Sequence, residues 1–169
     1  ISIDAAANYY ESMGQNWERA AMIKARAVAG DVDLGREFLR QLTPFVYRKY
    51  LDFAAIADVQ SLKRQMHTHK GHGTIAVLGH NIKVGRGGIR EIEFFVQTQQ
   101  LIAGGRNPAL RGSKTLDVMQ VLVDEGWIEQ TACDELSEAY VFLRTIEHRL
   151  QMVADQQTQV MPATQAAFE

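Results

Sequence analysis

Lys83, Arg86 and Arg90 surround Gly85, Gly87 and Gly88 in the stretch 81–97, NIKVGRGGIREIEFFVQ. Three cationic side chains around a glycine turn have the chemistry to hold a phosphate, a carboxylate or another anion. Three glycines in four positions let the backbone turn sharply and let a ligand approach it closely. A helix beginning at Gly87 or Gly88 would aim its unpaired N–H groups, and the positive end of its dipole, into that loop. The same spacing also suits a plain helix start behind a flexible leader with solvated charges. Glu91 and Glu93 fall in the first turn or so and can orient the arginines, bind a metal or complement the dipole. Orientation by ion pairing is the preferred reading.

A second basic group lies in residues 16–29, NWERAAMIKARAVA, which read as one helix ended by Gly30. At 100° per residue Trp17, Ala20, Ala21, Ala27 and Val28 share an apolar stripe, with Lys24 in its middle and Arg19 and Arg26 opposite. A lysine so placed either snorkels outward, the commoner outcome, or meets a buried anion. Asp31-Val32-Asp33 resembles a metal-binding carboxylate pair, but it follows a helix-ending glycine and precedes a helical run. N-capping and dipole complementation explain it better. His67, His69, His72 and His80 can ligate a metal by type, yet no carboxylate or cysteine stands among them, and a solvated loop is the simpler reading.

The elements that must carry these groups are helices. Ser2 caps a predicted helix over about 3–13, stopped at Gly14. Residues 34–42 form another, and Thr43-Pro44 reads as the cap and first turn of a separate helix. A further helix is predicted over about 56–66, and residues 74–78 suit a brief strand. The central helix covers about 88–103, with Ile89, Ile92, Phe95, Val96 and Ile102 on one side, Phe94 and Leu101 on another, and Gln97 and Gln100 extending the Glu93 face. Helices over about 114–125, capped by Ser113, and about 129–155 complete the set, with Glu147 at the edge of the last apolar stripe. The pattern is an all-α antiparallel helical bundle with one long glycine-rich loop at about 67–87. Residues 1–162 are expected to form the bundle domain and 163–169 the start of a following segment.

Composition narrows the function classes. The chain has 169 residues, 46% apolar and 22% charged, with a net charge of −2, so nothing draws it as a whole toward nucleic acid or an anionic membrane. Anion binding must therefore come from a local cluster. Cys133 is the only cysteine, which excludes an intrachain disulfide and a cysteine-rich zinc site and favours a cytoplasmic setting. No run of about 18 apolar residues is present to span a membrane. No Walker A motif, dinucleotide fingerprint or Ser/His/Asp set occurs. The chain is expected to be a piece of a longer protein.

The same residues carry a family likeness. Residues 14–26 (GQNWERAAMIKAR), 42–50 (LTPFVYRKY), 82–94 (IKVGRGGIREIEF), 147–151 (EHRLQ) and 155–159 (DQQTQ) resemble the glutamine synthetase adenylyltransferase/deadenylylase family. The likeness runs along nearly the whole chain, and the third stretch is its most specific part. It looks like the N-terminal, deadenylylating half. In that family each half resembles a polymerase-β-like nucleotidyltransferase domain followed by a helical bundle. The resemblance implies that this chain is the helical domain, that the Asp-x-Asp signature lies outside it, and that alone it is inactive. It implies Mg2+ and ATP or ADP in the intact enzyme, bound mainly by the catalytic domain. The implied partners are glutamine synthetase, the PII signal protein and the chain's own nucleotidyltransferase domain. Carried over residue by residue, Lys24, Arg26, Lys83, Arg86, Gly87, Gly88 and Arg90 would form a basic wall for phosphates, with Glu18, Glu91 and Glu93 positioning the cations. A regulatory module docking PII or glutamine synthetase, or a glycine loop that merely joins elements, are the competing readings.

Overall fold

The computed structural model describes residues 1–49, 61, 77–153 and 157–164. Among them are six α-helices, α1 (Ile3–Ser12), α2 (Asn16–Met22), α3 (Val32–Val46), α4 (Ile89–Ala103), α5 (Thr115–Asp124) and α6 (Gln130–Met152), with a short 3-10 helix at Pro108–Arg111. The only β pairing among the described residues is an isolated antiparallel bridge between Asn81 and Val160. The all-α expectation therefore holds. The predicted helix at 56–66 (Ser61 apart), most of the proposed strand at 74–78, and the histidines at 67–72 lie outside the described residues, as does most of the segment 163–169.

The chain divides into two compact units, Ile1–Leu62 with Val96–Leu122, and Lys63–Phe95 with Val123–Glu169. In the first unit, Ser2 Oγ accepts from Ala5 N at 3.2 Å and starts α1. Asp31 Oδ1 accepts from Leu34 N at 2.9 Å and starts α3, as the capping reading requires. Tyr10 of α1 sets its ring 5.3 Å from that of Phe45 and 6.3 Å from that of Phe38, joining α1 to α3.

Three expectations fail here. Thr43-Pro44 does not begin a helix: α3 runs through it to Val46. A proline only two residues from a helix end forfeits a single ladder bond, and Thr43 Oγ1 bonds back to Leu39 O at 3.2 Å. Helix α2 stops at Met22 instead of reaching residue 29. Its end tightens through Lys24 N to Ala21 O and Ala25 N to Met22 O, and tertiary contacts then outweigh the alanine-rich propensity. The wheel is also reversed, since Trp17 is 58% exposed whereas Arg19 is completely buried.

Arg19 ties α2 to α3. Its Nε donates to Phe45 O at 3.0 Å and Val46 O at 3.3 Å, its Nη2 to Val46 O at 3.1 Å, and its Nη1 to Asn16 Oδ1 at 3.1 Å. The guanidinium thus satisfies carbonyls that the end of α3 leaves without intrahelical partners, at the negative end of the dipole.

Helix α4 buries Ile89, Ile92, Val96 and Leu101, but Ile102 is exposed. Gln100 takes a core position because its amide has work there. Its Nε2 donates to Leu110 O and Gly112 O, both at 2.7 Å, holding the 3-10 segment.

Candidate functional site

The glycine loop belongs to the second unit and is clamped from two directions. Chain segment 159–162 pairs with its entrance: Gly79 N donates to Pro162 O at 3.0 Å, Ile82 N to Gln159 O at 3.0 Å, and Met161 N to His80 O at 2.8 Å. Asn81 Oδ1 accepts from Lys83 N at 3.1 Å and Val84 N at 2.9 Å, an Asx turn that folds the loop onto itself.

Gly87 and Gly88 are needed for different reasons. Gly87 adopts a positive φ of 73°, where a side chain would strain the backbone. At Gly88 a Cβ would stand 2.7 Å from Ile82 O, 2.8 Å from Gly85 O and 3.0 Å from Lys83 O. The close approach at Gly88 is therefore made by the loop's own backbone.

The N–H groups that the sequence suggested for an anion are used internally. Gly88 N donates to Gly85 O, Ile89 N to Ile82 O, Arg90 N to Lys83 O and Glu91 N to Gly88 O, at 2.9–3.0 Å. Gly87 N donates to the Glu91 carboxylate at 3.0 Å. Glu91 thus occupies the start of α4 where an external anion was expected, and the loop must meet a ligand through its side chains.

Those side chains form a connected charge network. Glu147 of α6 is buried, with Arg144 Nη1 at 2.6 Å from its Oε2 and Lys83 Nζ at 3.2 Å from its Oε1. The Lys83 contact has the distance of an ion pair without the alignment of a hydrogen bond. Arg144 also lies over the Tyr140 ring, 5.8 Å from its centre. Tyr140 OH donates to Glu93 Oε1 at 3.1 Å, and Glu93 Oε2 is 3.6 Å from Arg90 Nη1. Glu93 thus stands within ion-pair distance of Arg90. Arg86 is exposed and has neither hydrogen bond nor ion pair among the described residues. Lys83, Arg86, Arg90 and Arg144 face Glu91, Glu93 and Glu147, leaving a surplus of one positive charge.

The remaining predicted residues sit in the first unit. Lys24 lies beyond the end of α2 and donates to Ser113 O at 2.6 Å and Thr115 Oγ1 at 2.8 Å. Arg26 is exposed, with no hydrogen bond or ion pair among the described residues. Glu18 accepts from Gln15 N at 2.8 Å and from Tyr9 OH at 3.1 Å, so it caps α2 and bonds no cation among the described residues. The Tyr9 phenol is raised above its ordinary pKa chiefly by that bond to Glu18. Sequence reasoning did not assign site roles to Glu147, Arg144 and Tyr140. The family-like run 147–151 and the position of Glu147 beside the apolar stripe were the signals available.

No group of three or more histidine, cysteine, aspartate or glutamate residues among the described residues is arranged to hold a metal. Nor is any helix among them long and apolar enough to cross a membrane.

Residues 58–167 match the family model of GlnD PII-uridylyltransferase, and residues 1–41 that of glutamate-ammonia ligase adenylyltransferase. The chain is 66% identical over 165 residues to a bifunctional glutamine synthetase adenylyltransferase/adenylyl-removing enzyme of Rhizobium meliloti, and 64% identical over 169 residues to that of Agrobacterium fabrum. A Brucella melitensis relative of the same name is 63% identical over 168 residues. These alignments cover 98%, 100% and 99% of this chain, which spans about 17% of the length of each relative.

Proposed function

The chain belongs to the bifunctional glutamine synthetase adenylyltransferase/adenylyl-removing enzyme family, sharing over residues 58–167 a domain family with PII-uridylyltransferases, and we propose that it is the helical domain that lends a basic wall to the nucleotide and phosphate site. Arg86 carries this reading: it is a cation unpaired among the described residues, in a doubly clamped loop, flanked by Lys83 and Arg90, each within ion-pair distance of a buried or half-buried carboxylate. In the intact enzyme these side chains hold phosphate oxygens of a nucleotide, of inorganic phosphate or of the AMP–tyrosine linkage. The stabilisation is electrostatic and requires no proton transfer by this chain.

Magnesium is held by the catalytic carboxylates of the nucleotidyltransferase domain, and Glu91, Glu93 and Glu147 of this chain are each engaged by its own donors. Alone, the chain is inactive. It works in the cytoplasm, in the deadenylylating half, on glutamine synthetase.

The test is phosphorolysis of adenylylated glutamine synthetase by the full-length enzyme carrying Arg86→Ala. A loss of about tenfold or more supports the role. Unchanged rates with a native fold overturn it.

The self-satisfied backbone of the loop favours a second reading, in which this knuckle docks PII or glutamine synthetase through Arg86. In that case Arg86→Ala weakens partner binding and leaves affinities for phosphate and ATP unchanged.

A further inference from the structure

A cavity of about 200 Å³ lies within the first unit, away from the glycine loop in sequence. Ile23, Leu39, Leu42 and Val46 supply apolar wall, and Thr43, Tyr47, Arg111 and Ser113 supply polar groups. No carboxylate of the described residues lines it. Arg111 spends Nε on Gly104 O at 2.6 Å and Nη2 on Gly105 O at 3.3 Å. These bonds fix the guanidinium, which stands 5.5 Å from the centre of the Tyr47 ring. Its Nη1 has no acceptor among the described residues, and no ion pair neutralises its charge. Among the described residues Tyr47 OH has one partner, a long and weak hydrogen bond to Arg111 O at 3.5 Å.

Two donors with bonding capacity to spare, one of them charged, therefore line the same cavity as the apolar side chains, in a space that holds about six waters at roughly 30 Å³ each. Drug-sized ligands occupy about 300 Å³ or more, so the occupant is smaller than that. A fixed guanidinium edge selects a planar acid, and the walls select a short aliphatic tail.

We propose that this cavity binds a small aliphatic monocarboxylate, its carboxylate on Arg111 Nη1 and Tyr47 OH and its tail against Ile23, Leu39, Leu42 and Val46. A ligand of about six non-hydrogen atoms binds weakly, in the region of millimolar.

The experiment is equilibrium dialysis of radiolabelled n-butyrate against the full-length protein that contains this chain. Wild type is compared with Ala25→Leu and Arg111→Lys. Ala25 lines the cavity outside any helix, so leucine narrows the space without removing a hydrogen bond. The expected result is stoichiometric binding that A25L abolishes and R111K weakens by about tenfold or more. Unlabelled inorganic phosphate and n-butylamine should displace the label poorly, the first lacking the tail and the second carrying the wrong charge. No binding to wild type, binding unchanged in A25L, or displacement by either competitor as readily as by butyrate overturns the proposal.

Discussion

Replacing Arg19 by methionine should cost the chain a large share of its stability. Methionine fills similar space and avoids burying a charge, and removing buried charges in favour of apolar groups is often neutral or stabilising. The geometry of Arg19 argues for the opposite sign. Its partners include the backbone carbonyls of Phe45 and Val46, both buried, which remain after the substitution. An orphaned buried acceptor costs about 1–3 kcal/mol, so two of them cost about 2–6 kcal/mol, with about 4 as the central figure. Total stabilities run at about 5–15 kcal/mol. At roughly 2–4 °C per kcal/mol for a chain of this size, the melting temperature should fall by about 8–16 °C. Urea unfolding followed by circular dichroism measures this directly, with Arg19→Lys as the intermediate case because one ammonium cannot span both carbonyls. An R19M protein within about 0.5 kcal/mol of wild type would refute the view that Arg19 caps α3.

Further outcomes follow from the second unit and from α3. Gly88→Ala should destabilise by at least about 2 kcal/mol, because its methyl meets three backbone carbonyls, whereas Gly87→Ala should cost about 1–2 kcal/mol through φ alone; paired urea titrations give the order. Glu147→Gln should cost about 1–3 kcal/mol, discounted because Lys83 and Arg144 are 32% and 37% exposed and can rehydrate. If the basic-wall reading holds, the same change should tighten phosphate binding and steepen its salt dependence, which calorimetry at two ionic strengths measures. Arg40 holds the Glu37 carboxyl at about 2, below its usual 4.5. A depressed pKa means that the pair's contribution is present above pH 4.5 and disappears as pH falls toward 2. Arg40→Gln should therefore lower the urea midpoint above that window and leave it unchanged at its acid end.

Local signals that act within one turn were readable. Ser2 and Asp31 cap α1 and α3 as their side chains dictate, and the apolar run of α4 lies within one residue of its expected start. What escaped depends on partners distant in sequence. Arg19 looked like a surface residue because a helical wheel contains no information about carbonyls 26 and 27 positions away. Lys24 looked like the centre of a stripe because the stop after Met22 is set partly by Ser113 and Thr115. Gln100 and Ile102 exchanged roles for a similar reason, since the carbonyls of Leu110 and Gly112 draw the amide inward. At the glycine loop the residue types were legible, but which donors were already taken was not. That depends on Glu91 turning back onto Gly87 and on Glu147 arriving from α6.

The bond from Gly87 N to Glu91 makes the start of α4 its own antagonist. A visiting phosphate that sought those amides would have to displace a carboxylate tethered four residues away, whose local concentration far exceeds that of any free metabolite. Contact with any ligand at this loop is thereby left to its side chains, of which Arg86 is exposed.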